Sequence, residues 1–411
     1  MNVFFVTRDV AVSTSSDAAA ETRPPSTRCF TAPRGQQITD AELYFGTNKA
    51  SFEQLFDAAR STGEHGVVRM LRRDSQTETL RRLRLPPRVR AVHDSDDDTT
   101  AIEDQLNVFV RRDHVRVAII NVHGAAFGDA IVSLTAFREL RRALSSRYSS
   151  VQLDVLQAPI NPESERLYLE SGVVDRIEWL PETLATLRRY DAYIDLAADP
   201  IVDNRPWVDG LLDALGVPSW RVPPSRKRNR LRRPGTTCIT PGAARPSGRP
   251  VVLLHPRAST ALRTMPDSLV ASIVAAILRE TDWTIWAAVP LPFRDDRVRD
   301  WSDWCRTFEH LTSLVATVDA VISTDTSVYH VADAFDVPST VMFVAKPPGI
   351  WAAYYPRVAA LDLTTDTSAI RQLDRSESFD HVREAQRLWS RVDASEVVAL
   401  TQNLLASGIP S

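Results

Sequence analysis

Apolar residues in the middle of the chain form short β-branched runs that alternate with stretches of helical spacing. The run VRVAII (residues 115–120) precedes the turn NVHGAAFG, after which apolar residues recur every three or four positions as Ala130, Leu134, Phe137, Leu140 and Leu144. This order predicts a strand, a glycine turn and an amphipathic helix. The alternation continues through VQLDVL, PESERLYLESG, VDRIEWL, TLATLRRY and AYIDLA. Strands that alternate with helices favour a parallel, doubly wound sheet.

A second unit of the same kind begins at VVLLH (251–255). A loop leads to Pro266 and then to a helix with apolar positions at Leu269, Ile273, Ala276 and Ile277. WTIWAAV, VDAVIS and STVMFV supply three more short strands. We therefore expect two Rossmann-like domains, over 111–225 and 251–385, followed by C-terminal helices over 386–411.

Two further segments lack this pattern. Residues 1–110 begin with a strand-like run and continue through Pro/Ser/Thr-rich sequence, and we expect an N-terminal extension of unknown role. Residues 226–250 are rich in Arg, Pro and Gly, which predicts an exposed linker. Six basic residues between Arg226 and Arg233 raise the alternative of a nucleic-acid patch. The linker is favoured because no stacking aromatic residues are interleaved.

Composition narrows the class of protein. A chain of 411 residues exceeds the size of one core, and 44% hydrophobic residues with a net charge of −3 give no overall bias toward nucleic acid or membrane. Cys29, Cys238 and Cys305 are far apart, so we expect reduced thiols. The first twelve residues have too short an apolar run for a signal peptide, and no segment has the length of a membrane span. We expect a cytoplasmic protein, with peripheral contact with a membrane left open.

Polar residues follow the predicted strands, where open α/β sheets bind their ligands. HGAAFGDA (123–130) follows the first strand, but Gly124 and Gly128 do not have dinucleotide-binding spacing. Asp129 would also repel a pyrophosphate at the start of the helix. Two interpretations have similar weight: Asp129 is a helix N-cap, or it is a general base that accepts a proton from an acceptor hydroxyl.

The second strand end carries hydroxyls and arginines. In LLHPRASTALRTMPDSL (253–269), Pro266 and Asp267 suit the start of a helix. Ser259, Thr260 and Arg263 instead offer hydroxyl donors and a guanidinium that match a diphosphate. The alternative is a surface loop with incidental arginines.

The third strand end is STDTSVYHVADAF (323–335). Val328, Val331, Ala332 and Phe335 lie on one helix face, so the preceding polar residues belong to the first turn. Asp325 or Thr326 could cap this helix, and its free N–H groups would suit a phosphate. His330, taken alone, is more typical of a satisfied, partly buried residue than of a catalyst.

One acidic run has the residue type of a metal site. DSDDD (94–98) superficially resembles the carboxylate pair with which some glycosyltransferases hold a divalent metal. A hydrated turn is favoured, because blocks of like charge usually stay in water.

Taken together, the three strand ends resemble glycosyltransferase family 9, the heptosyltransferases. GDAIVSLTAFRELRRAL resembles the family's Gly-Asp motif, LLHPRAST with RTMP its His-Pro loop, and LTSLVATVDAVISTDTSVYHVADAFDVPSTVMF its long C-terminal motif. The likeness covers roughly residues 115–405. It implies a GT-B fold, with two Rossmann-like domains facing across a cleft, and inverting sugar transfer from a nucleotide diphosphate donor without a metal or other cofactor.

The resemblance also implies residue roles. Asp129 would be the catalytic base, and Arg263 stands where the family usually has a phosphate-stabilising Lys. Ser259, Thr260, Asp325, Thr326 and His330 match donor-binding positions, and Ser327 replaces the usual Gly beside them. The acceptor stays open among glycans, glycolipids and natural products. Two rival functions remain: a nucleotide-sugar epimerase of the same fold and a non-catalytic nucleotide-sugar-binding module.

Overall fold

A computed structural model describes most of the chain from residue 85 onward and three strands before it. The described residues are 2–8, 43–46, 66–72, 85–92, 101–108, 110–122, 126–157, 162–196, 205–234, 248–291, 294–364 and 379–407. The DSDDD run, Cys29 and Cys238 lie outside these ranges, and Cys305 is not in a disulfide bond.

The strands come in chain order as follows: β1 Asn2–Arg8, β2 Leu43–Gly46, β3 Gly66–Arg72, β4 His114–Ile120, β5 Ser150–Gln157, β6 Arg176–Trp179, β7 Glu182–Thr183, β8 Ala192–Asp195, β9 Val251–His255, β10 Thr284–Ala287, β11 Val298–Asp300, β12 Ala320–Thr324, β13 Ser339–Phe343 and β14 Val358–Asp362.

The α-helices are α1 Ile102–Asn107, α2 Phe127–Ser145, α3 Pro162–Glu170, α4 Leu184–Leu187, α5 Trp207–Ala214, α6 Asp267–Glu280, α7 Phe308–Thr317, α8 Ser327–Ala334, α9 Pro348–Trp351, α10 Phe379–Trp389 and α11 Ala394–Ala406. Short 3₁₀ turns cover Ser219–Arg221 and Pro224–Arg226.

The chain divides into two compact units. Unit 1 comprises Met1–His123, Phe137–Ile201 and Leu211–Ser219, and unit 2 comprises Gly124–Ala136, Val202–Gly210 and Trp220–Ser411. The N-terminal half of α2, which carries Asp129, therefore groups with the C-terminal unit. The sequence pattern assigns this segment to the N-terminal domain instead, because the helix directly follows a strand of that domain in the sequence.

Unit 1 contains a parallel sheet of order β6-β5-β4-β8. One core cluster on this sheet consists of Ala118, Ile120, Leu156, Leu180, Leu184, Leu187, Tyr190 and Tyr193. A second, antiparallel sheet has the order β3-β1-β2-β7 and contains the strands of the N-terminal extension. The sequence predicts a strand only at its beginning, because a short antiparallel sheet built from distant segments leaves little local pattern.

Unit 2 is built on a six-stranded parallel sheet of order β11-β10-β9-β12-β13-β14. Its central strands β9, β12 and β13 are buried at every position except His255, which suits their mainly apolar sequences. The predicted apolar face of α6 is buried at Leu269, Ile273, Ala276 and Ile277. The expectation of a mixed α/β fold with parallel sheets is thus confirmed.

The basic segment after residue 225 differs from the expected exposed linker. Lys227 is 6% exposed and Asn229 3% exposed. The Lys227 ammonium lies 2.6 Å from an Asp209 carboxylate oxygen, and Arg228 forms ion pairs with Asp333 and Asp336. These three basic-segment residues are packed into unit 2, because local carboxylate partners offset the cost of burying their polar groups. Their internal pairing argues against the nucleic-acid patch at this position.

Candidate functional site

The predicted donor residues lie at the carboxyl ends of two neighbouring strands of unit 2. Strands β9 and β12 pair in parallel, with Leu254 opposite Ile322 and His255 opposite Ser323. The loop after β9 carries the hydroxyls and Arg263, and the residues after β12 lead into α8. Because parallel strands end on the same edge, two segments more than 60 residues apart in sequence meet here.

Arg263 joins these two segments. Its guanidinium donates from Nε to Thr260 Oγ1 at 3.3 Å, from one terminal nitrogen to Ser259 Oγ at 2.8 Å, and from the other to the Asp325 carbonyl at 3.1 Å. The last nitrogen also lies 3.5 Å from an Asp325 carboxylate oxygen. Four of the predicted site residues are thus in one hydrogen-bonded cluster. The Arg263 side chain keeps 26% of its surface exposed, so its remaining N–H groups can meet a ligand.

The backbone of the Arg263 loop is held from two sides. The Thr324 hydroxyl, at the end of β12, donates to the Arg263 carbonyl. Trp389, on α10, donates from its indole nitrogen to the Leu262 carbonyl at 3.0 Å. Met265, the residue that precedes Pro266, is fully buried. These contacts fix the loop, so the guanidinium is pre-positioned on a rigid support.

Asp325 is buried beside this guanidinium, with 5% of its surface exposed. Burial raises the pKa of its carboxyl group, while Arg263 and a hydrogen bond from the Tyr329 hydroxyl act in the opposite direction. That hydroxyl donates to Asp325 Oδ1 at 3.2 Å. The carboxylate is therefore engaged by Arg263 and Tyr329 and orients the cation.

The start of α8 has no side-chain cap. Thr326 occupies the N-cap position, with φ −155° and ψ 173°, and its hydroxyl makes no capping hydrogen bond. The capping alternative considered from the sequence is therefore wrong for Thr326. The first-turn N–H groups, which begin at Ser327, have no acceptor within their own helix. An uncapped helix start beside an arginine suits an anion.

Asp129 is not an N-cap either. Helix α2 begins at Phe127, so Asp129 is the third helical residue and lies in the first turn, where its charge suits the helix dipole. Phe127 stacks on Phe308, with ring centroids 4.3 Å apart and planes 7° apart. A Cβ atom placed on Gly128 would lie 3.7 Å from the Ser327 Cα atom. The start of α2 is thus packed beside the start of α8, which brings Asp129 near the predicted donor residues.

His330 is buried within this arrangement, with 4% of its surface exposed. Burial, together with the positive charge of Arg263, lowers the pKa of its imidazole to about 3. Its Nδ1 atom lies 2.7 Å from the Tyr355 hydroxyl, and the Trp351 ring centroid is 6.3 Å from its own. His330 is therefore a neutral, hydrogen-bonded residue at the centre of the site.

Sequence reasoning missed the residues that hold His330. Tyr355 lies in the stretch GIWAAYYP, which has no strand or helix period, and Asn229 lies in the presumed linker. Asn229 and Tyr355 are distant from His330 in the sequence, and only the folded structure brings their polar groups into contact with it. The one available signal was the cluster of aromatic residues between Trp351 and Tyr355, which is unusual for a surface loop.

A cavity of about 580 Å³ lies at the other edge of the unit 2 sheet. Pro250, Asp319, Pro338 and Arg357, which line it, directly precede β9, β12, β13 and β14. It is at the amino ends of the strands, and the predicted donor residues are at the carboxyl ends. The cavity therefore contributes nothing to the candidate donor site.

Metal-binding clusters and membrane-spanning helices are both missing from the ranges that the structure covers. Those ranges contain no group of three or more His, Cys, Asp or Glu side chains arranged to hold a metal ion. No helix within them has the length and apolar character needed to cross a membrane.

Two solved glycosyltransferases align with most of this chain. The ADP-heptose lipopolysaccharide heptosyltransferase II of E. coli aligns over 71% of this chain and 99% of its own, with 14% identity and a TM-score of 0.50. A family 9 glycosyltransferase from Veillonella parvula aligns over 73% of this chain and 99% of its own, with 10% identity and a TM-score of 0.48. The fold shared with heptosyltransferase II defines a mixed α/β protein of the GT-B class.

Part of the sequence matches the profile of a known protein family. The profile of glycosyltransferase family 9 (heptosyltransferase) matches residues 223–382, a range that contains Arg263, Asp325 and His330. No curated protein matches the chain. This match agrees with the family indicated by the motifs over residues 223–382, and together with the fold it supports glycosyltransferase activity.

Proposed function

We propose that this protein transfers a sugar from a nucleotide diphosphate donor to an acceptor hydroxyl, with inversion at the anomeric carbon and without a metal ion. The observation that carries the proposal is the Arg263 cluster, in which one guanidinium joins Ser259, Thr260 and Asp325 beside the uncapped start of α8. A fixed cation and free backbone N–H groups suit a diphosphate.

The donor diphosphate would bind at this cluster, with Arg263 and the first-turn N–H groups of α8 around its oxygens. These groups matter most when the bond between the anomeric carbon and the diphosphate oxygen breaks, because negative charge then grows on the leaving group. Arginine keeps its positive charge at any ordinary pH, so it can replace the lysine that the family usually has here.

Asp129 would act as the general base. It would accept the proton of the acceptor hydroxyl while the acceptor oxygen forms its bond to the anomeric carbon, and the nucleoside diphosphate would leave on the opposite side. A base of this kind is typically worth about 10² to 10⁴ in rate. The packing of Gly128 beside Ser327 supports this role, because it holds the start of α2 close to the predicted donor site.

The sugar and nucleotide are proposed only as a class. Heptosyltransferase II, the solved protein of similar fold, is named for ADP-heptose, so ADP-heptose is the first donor to test. The acceptor would be a hydroxyl of a glycan, glycolipid or natural product. A glycolipid acceptor would bring the protein into peripheral contact with a membrane surface.

Two measurements test the proposal. A thermal-shift panel of nucleoside diphosphates and their sugars should raise the Tm of the wild-type protein for at least one nucleotide, since ligand binding stabilises the native state by mass action. Asp129→Asn should bind the same donor with little change and lose transfer by at least about 10²-fold. Conversion of the donor without an acceptor would indicate an epimerase, and donor binding without turnover would indicate a binding module.

A further inference from the structure

A buried hydrogen-bonded chain runs from Asn229 through Tyr355 to His330. Asn229 Nδ2 donates to the Tyr355 hydroxyl at 2.6 Å, and that hydroxyl lies 2.7 Å from His330 Nδ1. The three residues are 3%, 8% and 4% exposed, respectively. Water therefore does not compete for these contacts, and each proton must be shared within the chain.

The orientation of the Asn229 amide is fixed by its neighbours. Its Nδ2 atom faces the His330 carbonyl at 3.5 Å, and its Oδ1 atom lies 3.1 Å from Thr135 Oγ1, a hydroxyl that also lies 3.4 Å from the Arg228 carbonyl. A carbonyl oxygen only accepts hydrogen bonds, so the atom that faces it is the amide nitrogen. The same nitrogen is the donor to Tyr355.

The Tyr355 hydroxyl then donates its proton to His330 Nδ1. Burial raises the pKa of this hydroxyl well above its ordinary value, so it stays protonated. The hydroxyl already accepts from Asn229, and within the described ranges its only other partner is His330 Nδ1. Tyr355 therefore donates to Nδ1, which must be the unprotonated nitrogen of a neutral imidazole. The ring proton is on Nε2.

The Nε2 edge of the ring faces the start of α2. A Cβ atom on Gly128 would lie 2.9 Å from His330 Cδ2 and 3.2 Å from Nε2, so the ring edge rests directly against the backbone at Gly128. Asp129 is the next residue. Any rotation of the His330 ring would therefore displace the turn that carries the proposed base.

We propose that Asn229 and Tyr355 are positioning residues that fix His330 as the Nε2–H tautomer and hold its ring under the Gly128–Asp129 turn. The hydrogen-bond geometry stands independently, whereas the effect on catalysis rests on the proposed function. Neither Asn229 nor Tyr355 would contact the substrate. Their contribution is to hold the first turn of α2, which carries Asp129, in a constant position beside the start of α8.

The tautomer is tested by NMR on the full-length protein with ¹⁵N-labelled histidine. The chain has eight histidines, and His330→Gln identifies the pair of resonances that belongs to this ring. In the wild type at pH 7, Nδ1 should have the shift of an unprotonated ring nitrogen and Nε2 that of a protonated one. The opposite assignment would overturn the proposal.

Two variants and a matched control complete this test. Tyr355→Phe removes the donor to Nδ1 and should give a mixture of tautomers. Asn229→Asp replaces the amide donor by an acceptor, so Tyr355 should donate to the new carboxylate and His330 should move toward the Nδ1–H form. Tyr354→Phe is the control, because the Tyr354 hydroxyl donates to Asp209 at 2.6 Å and not to His330. If the His330 tautomer changes in neither Tyr355→Phe nor Asn229→Asp, the proposed hydrogen-bonded chain is refuted.

Kinetics test the positioning role with a nucleotide sugar that the wild type turns over. Tyr355→Phe should lower kcat about tenfold, the effect of one buried hydrogen bond, with less than about a twofold change in donor KM. Tyr354→Phe should change neither. A shifted tautomer with unchanged kcat would refute the positioning role. If no nucleotide sugar is turned over, the proposed function fails, and NMR still decides the tautomer.

Discussion

The close approach of His330 to Gly128 makes Gly128→Ala a sharp test of the packing between α2 and α8. The new Cβ atom would lie 2.9 Å from His330 Cδ2, a separation that real Cβ contacts do not reach. The imidazole cannot easily retreat, because it is buried and its Nδ1 is held by Tyr355 at 2.7 Å. Overpacking of this kind typically costs about 1–3 kcal/mol.

The matched control is Gly349→Ala. Gly349, like Gly128, is the second residue of a helix, but a Cβ atom there would meet nothing within 4 Å. This change should be neutral or stabilise by about 0.5 kcal/mol, because alanine restricts the unfolded chain. In urea unfolding at constant m-value, Gly128→Ala should therefore be about 2 kcal/mol less stable than Gly349→Ala.

A double variant separates the clash from other effects of the substitution. In a His330→Ala background the ring is gone, so adding Gly128→Ala should cost nothing or slightly stabilise. Equal costs of Gly128→Ala in the wild-type and His330→Ala backgrounds would refute the reasoning. So would a Gly128→Ala variant as stable as Gly349→Ala.

Two further predictions concern buried charge, and both are measured by urea unfolding. The His330 pKa is lowered from 6.5 to about 3, so its neutral form stabilises the fold above pH 6.5 and this contribution is lost as the pH falls toward 3. Between pH 6.5 and 4.5 the wild type should lose about 2 kcal/mol more than His330→Gln, and parallel profiles would contradict this. Lys227→Met should cost about 3–5 kcal/mol, because it leaves Asp209 buried without its cation. Arg279→Met, which breaks an exposed pair with Glu280, should cost less than about 1 kcal/mol, and equal losses would contradict the burial argument.

The sequence predicts the fold correctly where the burial of a single strand or helix sets its own pattern of apolar residues. The run VVLLH coincides with β9, because its first four residues are buried and a strand buried on both faces needs apolar side chains there. The helix after Pro266 was also clear, although Pro266 itself is the N-cap and the helix begins at Asp267. TLATLRRY is helical only over Leu184–Leu187, because the residues after Arg188 turn into β8.

The site could be predicted in part for the same reason. Arg263 and Asp325 follow neighbouring parallel strands, so strand order alone brings them to one edge. Asn229 and Tyr355 could not be found, because their burial depends on partners about a hundred residues away. A basic segment is ordinarily solvated, and the carboxylates of Asp209, Asp333 and Asp336 make its burial favourable here.

The proposed donor site depends most directly on Arg263 as the group that binds a diphosphate. Calorimetric titration should be carried out with the nucleoside diphosphate that gives the largest thermal shift, on wild type, Arg263→Met and Arg279→Met. Loss of a charge-assisted contact is typically worth about 1.5–3 kcal/mol, so Arg263→Met should bind about 10- to 100-fold more weakly. Arg279→Met should match the wild type, because this arginine lies at the end of α6 and pairs with Glu280. Equal affinity of wild type and Arg263→Met for the nucleoside diphosphate would contradict the proposed donor site.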